Sequence, residues 1–464
     1  MKKIRLTHNR AQTSRLLTEG KPWKVLVSFA TPIFLSQLFQ QLYNTADSYI
    51  VGNFIGSEAL AAVNSLGSLI YLLISFFVGA SMGAGVVISR YFGAGDQERV
   101  LRAVHTNILF SLICGVVLSV FGVLMTPHIL RWMGVPEDVL PNSTAYLRYY
   151  FFGCVPVVMY NSMKGVMNAV GDSVRPLYYL IVSSVLNVLL DLLFVGAMGL
   201  GVEWAAIATV LSQAVSAVLC LIQLMKKGTV YQLSWKKLRI DAQSLKEITK
   251  YGLPTGVQNS VIGFANVLVQ TNINSFGALA MAACGAYSRI EGFVFLPIMS
   301  FSMAMTSFIG QNLGAKEYDR AKEGARFGIL TSIALAEIVG VVLFFFGGFF
   351  ISTFITDEDP AAVAEIIAIG ARQCRVESLF FFLLAFSHAV AGICRGAGKA
   401  IVPMVIMLAI WCVLRIVYIT VAMSISHEII LLFAAYPLTW FLSSVIYFIY
   451  YKKSDWIHGF DKAA

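Results

Sequence analysis

Apolar runs of about twenty residues recur along the whole chain, separated by short polar breaks, and each is long enough to cross a bilayer as a helix. They predict twelve spans. In the first half these lie near 25–52, 57–89, 101–126, 144–168, 177–198 and 203–225, and in the second near 248–273, 278–310, 325–353, 367–395, 401–424 and 428–451. Several exceed twenty residues, which implies tilt or extension beyond the bilayer. The widest polar break, "MKKGTVYQLSWKKLRIDAQSLKEITKYG", falls midway, and its apolar positions Leu233, Trp235, Leu238 and Ile240 predict an interfacial segment. The expected organisation is a tail (1–24), an N-terminal lobe of six spans (25–225), a linker (226–247), a C-terminal lobe of six spans (248–451) and a second tail (452–464). The fold class is an all-α polytopic membrane protein of two six-helix bundles.

Composition agrees. Of 464 residues, 58% are hydrophobic and 13% charged, against about a quarter charged in soluble chains. The first residues, "MKKIRLTHNRAQTSRLLTEGKPWK", are basic but lack a short apolar core with a small-residue cleavage site, so they read as a retained tail. Charge is distributed unevenly between the two sides. The tails, the central linker and the loops near 90–102, 175, 316–326 and 395–399 hold 27 of the 34 Lys and Arg residues, while the loops between them hold almost none. By the positive-inside rule both termini are expected in the cytosol, in a plasma (inner) membrane. The net charge of +9 is then a record of topology, and no nucleic-acid partner is expected.

The seven cysteines fall in or at the ends of predicted spans, with no CxxC and no Cys/His group at metal spacing, so they read as buried structural thiols. The glycine series "GASMGAGVVISRYFGAG" lacks the strand before it and the GK[ST] after it that a phosphate loop needs. Gly79 and Gly83 instead predict close helix packing, and Gly392 and Gly396 repeat their spacing. No span pairs a nucleophile with a base. An enzyme is not expected, and neither is a cofactor.

The chain is an internal duplication. "SRYFGAGDQERV" (89–100) matches "GQNLGAKEYDRA" (310–321) at an offset of 221, Pro32 aligns with Pro254 at 222, and "GVMNAVGDSVRP" (165–176) matches "GICRGAGKAIVP" (392–403) at 227. Six spans per half put both halves the same way up, related by a pseudo-twofold axis along the membrane normal. Two equivalent bundles flanking a cleft suit alternating access.

Within the first span, "QLFQQLYNTAD" sets Gln37, Gln40, Gln41, Asn44 and Asp47 at three- and four-residue steps, which places them in one stripe of a helix. The partner span keeps Asn259 and Asn266, but the counterpart of Asp47 is Leu268 or Val269. Asp191, the other deep acid of the first half, aligns with Tyr418. Packing of a duplicated scaffold does not require such asymmetry, so chemistry in the N-terminal lobe is expected. Asn187 lies one turn before Asp191, and the next span offers Thr209. An ionised carboxylate in hydrocarbon costs at least about 2.5–3.5 kcal/mol, so these acids must meet water, a cation or a proton. Two acids with amide and hydroxyl neighbours form either a proton-titratable pair or an oxygen-rich Na⁺ site at Asp47, Asn187, Asp191 and Thr209.

These residues carry a resemblance. "PIFLSQLFQQLYNTADSYIVGNFIG", "LNVLLDLLF", "RIEGFVFLPIMSFSMAMTSFIGQNLGA" and "GICRGAGKAIVP" resemble the multidrug and toxic compound extrusion (MATE) transporters, in the DinF-like branch, over nearly the whole chain. The resemblance implies two lobes that open alternately and export bulky, often cationic compounds against H⁺ or Na⁺. It implies a cation site at Asp47, Asn187, Asp191 and Thr209, with Tyr43 beside the acid and Gln40 in the same lobe. Two features depart from the family's pattern: Asn168 stands where related sequences have Arg, and Lys164 lies about 10 Å into its helix by rise per residue. Snorkelling to the cytosolic interface is the expected placement of Lys164; the alternative is the cavity, beside the acids. Glu291 is a candidate for substrate contact in the C-terminal lobe, and Glu337, Glu377, His388 and Arg415 receive no role.

The expected function is efflux of organic compounds by H⁺ or Na⁺ antiport, by a monomer whose partners are its substrates and the lipid bilayer. The rival reading is a lipid-linked saccharide flippase of the same superfamily. It is disfavoured because the first span offers amides and an acid where a pyrophosphate would need several Arg or Lys.

Overall fold

A computed structural model describes residues 16–55, 75–76, 78–79, 81–132, 140–355, 359–458 and 460. In chain order its helices are α1 (Pro22–Phe54), α2 (81–93, with 75–76 and 78–79 also helical), α3 (Gln97–Trp132), α4 (Leu140–Phe152), α5 (Cys154–Ala169), α6 (Val174–Asp191) and α7 (Val202–Leu224). There follow α8 (Ala242–Asn274), α9 (Ala278–Gly314), α10 (Tyr318–Ser352), α11 (Pro360–Ser378), α12 (Phe381–Gly396), α13 (Ile401–Met407), α14 (Arg415–Ile425) and α15 (Ile429–Lys453). Among the described residues there is no strand. Among the described residues eight helices are long and apolar enough to cross a membrane, and α11 with α12, bent by 53°, makes a ninth. The expected spans at 57–89, 144–168 and 248–273 correspond to α2, α4 with α5, and α8; residues 57–74 of the first lie outside the described residues.

Several spans differ from the continuous helices expected. The fourth breaks at Gly153, and the tenth breaks between Ser378 and Phe381, at the equivalent position. After the breaks the correspondence is residue for residue: Cys154–Ala169 and Phe381–Gly396 are related by the offset of 227. The duplication therefore extends to where helices bend. The fifth and eleventh spans contain π-helical stretches, Leu192–Ala197 directly after Asp191 and Leu408–Leu414 directly before Arg415. Such widened turns arise where a residue is inserted into the helical ladder, often at functional positions. The linker carries a short 3₁₀ turn, Trp235–Lys237; Leu233 is buried in the core, whereas Trp235 and Ile240 are exposed. Helix α8 starts within the expected linker, capped by Asp241, whose carboxylate accepts from Ser244 N at 2.8 Å and Ser244 Oγ at 2.7 Å. Those hydrogen bonds hold the exposed Asp241 carboxyl below its ordinary range.

The glycines do what their spacing predicts. A Cβ on Gly79 or Gly83 would lie 2.2–2.7 Å from the backbone of α8 at residues 248–256, and one on Gly392 or Gly396 would strike α9. Closest of all is the crossing of α2 and α9 at the basic end. A Cβ on Gly93 would meet the Gln311 carbonyl at 2.0 Å, and one on Gly314 would meet that of Arg90 at 2.0 Å. Gly93 and Gly314 are equivalent, and so are Arg90 and Gln311, so the contact is self-complementary about the pseudo-twofold axis. The lobes are thus joined backbone to backbone at this end.

Residues 16–20 brace the same end. Leu17 N donates to Gln311 Oε1 (2.8 Å), and Gln311 Nε2 donates to Ala169 O of α5 (2.7 Å). Arg320 donates to the carbonyls of Leu17, Glu19 and Gly20. At the other terminus, Phe460 lies under the Arg90 guanidinium at 4.4 Å.

Two outcomes follow from this closure. Gly93→Leu and Gly314→Leu each separate α2 from α9, and spin-label distances between the basic ends of the lobes should lengthen by several ångströms; unchanged distances would show that the crossing does not hold the lobes. Arg320→Ala removes three hydrogen bonds, so amide exchange at Leu17 should accelerate by roughly tenfold or more, about the worth of one net hydrogen bond.

Candidate functional site

The amide stripe of α1 faces a cavity of about 650 Å³ between the lobes. Gln37, Gln40, Gln41, Asn44 and Asp47, which their spacing puts in one stripe, all line it, and so does Tyr43. Helices α2, α4, α5 and α7 complete the wall from the N-terminal lobe, and α8 and α9 contribute Asn259 and Met303 from the other. Gln37 Nε2 approaches Met303 Sδ at 3.9 Å, so the stripe touches the opposite lobe directly.

The acid pair starts in that wall, at Asp47, and runs behind it to Asp191. Asp191 ends the α-helical part of α6 and is fully buried; Asp47 reaches it from α1, and the two carboxyls interact with one another. Asn187 is buried one turn earlier and donates to Thr209 Oγ1 of α7 at 3.4 Å. The rest of the set is unsatisfied. Asp47 Oδ1, both Asp191 oxygens and Asn187 Oδ1 are buried and accept no hydrogen bond from any described group. Buried polar oxygens normally have a partner, and two facing carboxylates out of water cannot both keep their charge without a cation or a proton between them. The four expected coupling residues therefore come together, and three of them, Asp47, Asn187 and Asp191, bring orphaned oxygens. Two carboxylates with an amide and a hydroxyl suit Na⁺ or H⁺; among the described residues no three His, Cys, Asp or Glu gather as a metal site.

Lys164 is not at the interface. It is only 8% exposed, and its side chain lines the cavity with Asn161 and Asn168 of the same helix, so the snorkelling expectation is overturned. Helix α5 continues five residues beyond it, and the Tyr160 ring lies 5.9 Å from Nζ, which holds the stem against the wall. It makes no ion pair with Asp47 or Asp191.

Glu291, by contrast, does not line the cavity. It belongs to a second acid cluster in the C-terminal lobe with Glu377 and Arg415. Here every charge has company. Glu377 accepts from Tyr287 Oη (2.8 Å) and Gln373 Nε2 (2.9 Å). Arg415 donates to Thr439 Oγ1 (2.9 Å), stacks on Tyr436 at 4.4 Å and supplies the positive field for both acids. Deep acids are thus present in both lobes, at non-equivalent positions. Only the N-terminal pair lacks an internal cation among the described residues.

Sequence reasoning missed the cavity residues Gln213, Tyr146, Tyr150 and Asn161. The spacing of Asn161, Lys164 and Asn168, three then four residues, is a stripe like that of α1 and could have been found by the same test. Six of the seven cysteines are buried and all are free, as expected.

A membrane-embedded chain of two pseudo-equivalent bundles around a shared polar cavity, with an acid pair on one side, has the build of a membrane transporter. The comparisons with known proteins agree. The MatE family model matches residues 32–193 and 254–421, and the chain belongs to this family. It is 30% identical over 448 residues to a probable multidrug resistance protein YoeA of Bacillus subtilis, covering 94% of this chain and 95% of that one. It is 24% identical to an FAD transporter of Shewanella oneidensis, covering 72% and 75%. Among solved structures it superposes on a MOP superfamily transporter from Pyrococcus furiosus with TM-score 0.89 at 22% identity, covering 95% and 97%. The protein is a multi-pass membrane transporter and not an enzyme.

Removing Arg415 by Arg415→Met leaves Glu291 and Glu377 facing each other without a cation. Thermal stability should fall by about 3 kcal/mol, the scale for breaking a buried charge set. Adding Glu377→Gln should restore part of it, as read by the unfolding temperature of detergent-purified protein.

Proposed function

We propose that the protein exports bulky organic compounds by antiport against H⁺ or Na⁺, with Asp47 and Asp191 as the coupling pair and Asn187 and Thr209 completing the site. The observation that carries this reading is the group of four buried oxygens at Asp47, Asp191 and Asn187 that no described residue satisfies, at the wall of the cavity read as the cargo site. Cation uptake by the pair favours the cargo-releasing state, and loss of the cation on the other side favours cargo capture. The ion shifts this equilibrium only by its difference in affinity between the two states. The membrane potential adds about 2.3 kcal/mol per charge per 100 mV. Relatives named as multidrug resistance proteins and as an FAD transporter support large organic cargo. The basic loops at one end support cytosolic termini in the plasma membrane, and both lobes in one chain support a working monomer. The saccharide flippase reading is weaker, since Lys164 is the lone Lys or Arg among the described residues that line the cavity.

The test is efflux from proteoliposomes under an imposed pH or Na⁺ gradient. Asp47→Asn and Asp191→Asn should each reduce gradient-driven export to the leak rate. Asp191→Asn should also raise the unfolding temperature by a few degrees, because it removes a buried charge that nothing internal offsets. Full gradient-driven export in both variants would remove the pair from coupling. A fall in stability without loss of coupling would make Asp191 a structural residue.

A further inference from the structure

Lys164 presents a different problem from the acids. A buried ammonium in the bilayer is costly unless it is paired, and the usual partners are absent. No carboxylate among the described residues lies within 4.0 Å of it, and no described group accepts a hydrogen bond from Nζ. Asp47, Asp191 and Asp172 are acids of the same lobe. The first two face each other, and Asp172 is held by Arg175 at 3.2 Å. The side chain is nonetheless buried, and its head lies on the wall of a cavity large enough for an organic molecule. Asn161 and Asn168 stand one turn before and one turn after it on the same wall. The cavity thus has its acid at one place and an unpaired cation, flanked by amides, at another.

We propose that Lys164, with Asn161 and Asn168 beside it, is the seat for an anionic group of the exported compound, a carboxylate or a phosphate. The preferred cargo is then amphoteric, its anionic group on α5 and its aromatic, cationic body against the tyrosines and the α1 amides. Arrival of the anion supplies the charge partner that the protein withholds, so the burial of Lys164 is offset only when cargo is present. One ammonium matches one carboxylate or phosphate monoester better than a diphosphate. This rests on the proposed export function, with the cavity as the cargo site, but not on the coupling ion.

The experiment uses two dyes that differ in one group: rhodamine 110, with a free carboxylate, and rhodamine 123, its methyl ester. Binding to the purified full-length protein is read by fluorescence anisotropy with no gradient imposed, so failure of ion coupling cannot affect the result. The wild type should bind rhodamine 110 more tightly. Lys164→Met should weaken rhodamine 110 by roughly tenfold or more, the loss of one charge-assisted hydrogen bond, and leave rhodamine 123 within about twofold, which also shows that the variant is folded. Lys164→Arg should restore most of the preference. Equal binding of the two dyes by the wild type, or an equal effect of Lys164→Met on both, would overturn the proposal. A preference for the acid seen in phosphatidylcholine nanodiscs but lost in phosphatidylglycerol nanodiscs would assign Lys164 to a lipid phosphate and likewise overturn it.

Discussion

The energetics of this molecule turn on two carboxylates placed together out of water. A bilayer protein can bury an acid in two ways: by providing the compensating charge itself, or by leaving that charge to be supplied from outside. The C-terminal lobe takes the first route, with Glu377 hydrogen-bonded by Tyr287 and Gln373 and Arg415 among the acids. The N-terminal lobe leaves Asp47, Asp191 and Asn187 with orphaned oxygens and no internal cation nearby among the described residues. The scaffold is the same in both lobes. The difference in charge compensation sets the two clusters apart, and on the proposed reading it leaves the N-terminal one responsive to the ions around it.

A site of this kind is useful only if its occupancy is tied to a change of shape. The pseudo-twofold crossing of α2 and α9 offers the means. Gly93 and Gly314 bring backbone against backbone, so the contact is either fully made or broken; it has little capacity for gradual deformation. Leu17, Gln311 and Ala169 extend this closure from the N-terminal segment through α9 to α5. Helix α5 also carries Lys164, and α1 carries both the amide stripe and Asp47. Cargo wall, acid pair and closure are therefore built on shared rigid elements, which is the physical requirement for coupling between them.

Much of this is legible in the sequence, and what is not has identifiable reasons. Spans, duplication and glycine packing are readable because each rests on a repeating pattern: hydropathy, an offset, or a four-residue spacing. The α1 stripe is readable because five polar residues at helical period in an apolar run must share one face, and a face of that kind has to be kept from lipid. The place of Lys164 is not readable from its depth, because depth along a helix does not say which face a side chain occupies, and a long stem allows either outcome. Asn161 and Asn168 reveal the face only when the three residues are taken together. The C-terminal cluster is hidden for a different reason. Comparing the halves position by position finds acids lost at equivalent sites, but not acids that a lobe has assembled from other positions, as Glu291, Glu377 and Arg415 are. The helix breaks at Gly153 and near Phe380, and the π-helical turns beside Asp191 and Arg415, have no strong local signal. They follow from packing within the bundle.

The separation of Lys164 from the acid pair bears on how ion and cargo communicate. Were the ammonium paired with Asp47 or Asp191, cation binding would free it electrostatically, and the two ligands would compete or cooperate through a single charge contact. No such ion pair exists. With Lys164 as an anion seat, ion and cargo occupy neighbouring places without sharing a charged group, so any coupling between them travels through the positions of α1 and α5 and the state of the α2–α9 crossing. Coupling of that kind is a difference in each ligand's affinity for two arrangements of the lobes, and it is reciprocal. On the proposed reading the chain accepts varied cargo without altering the ion's chemistry, because the cargo seat lies on α1 and α5 and the ion site is made of other residues, on α1, α6 and α7.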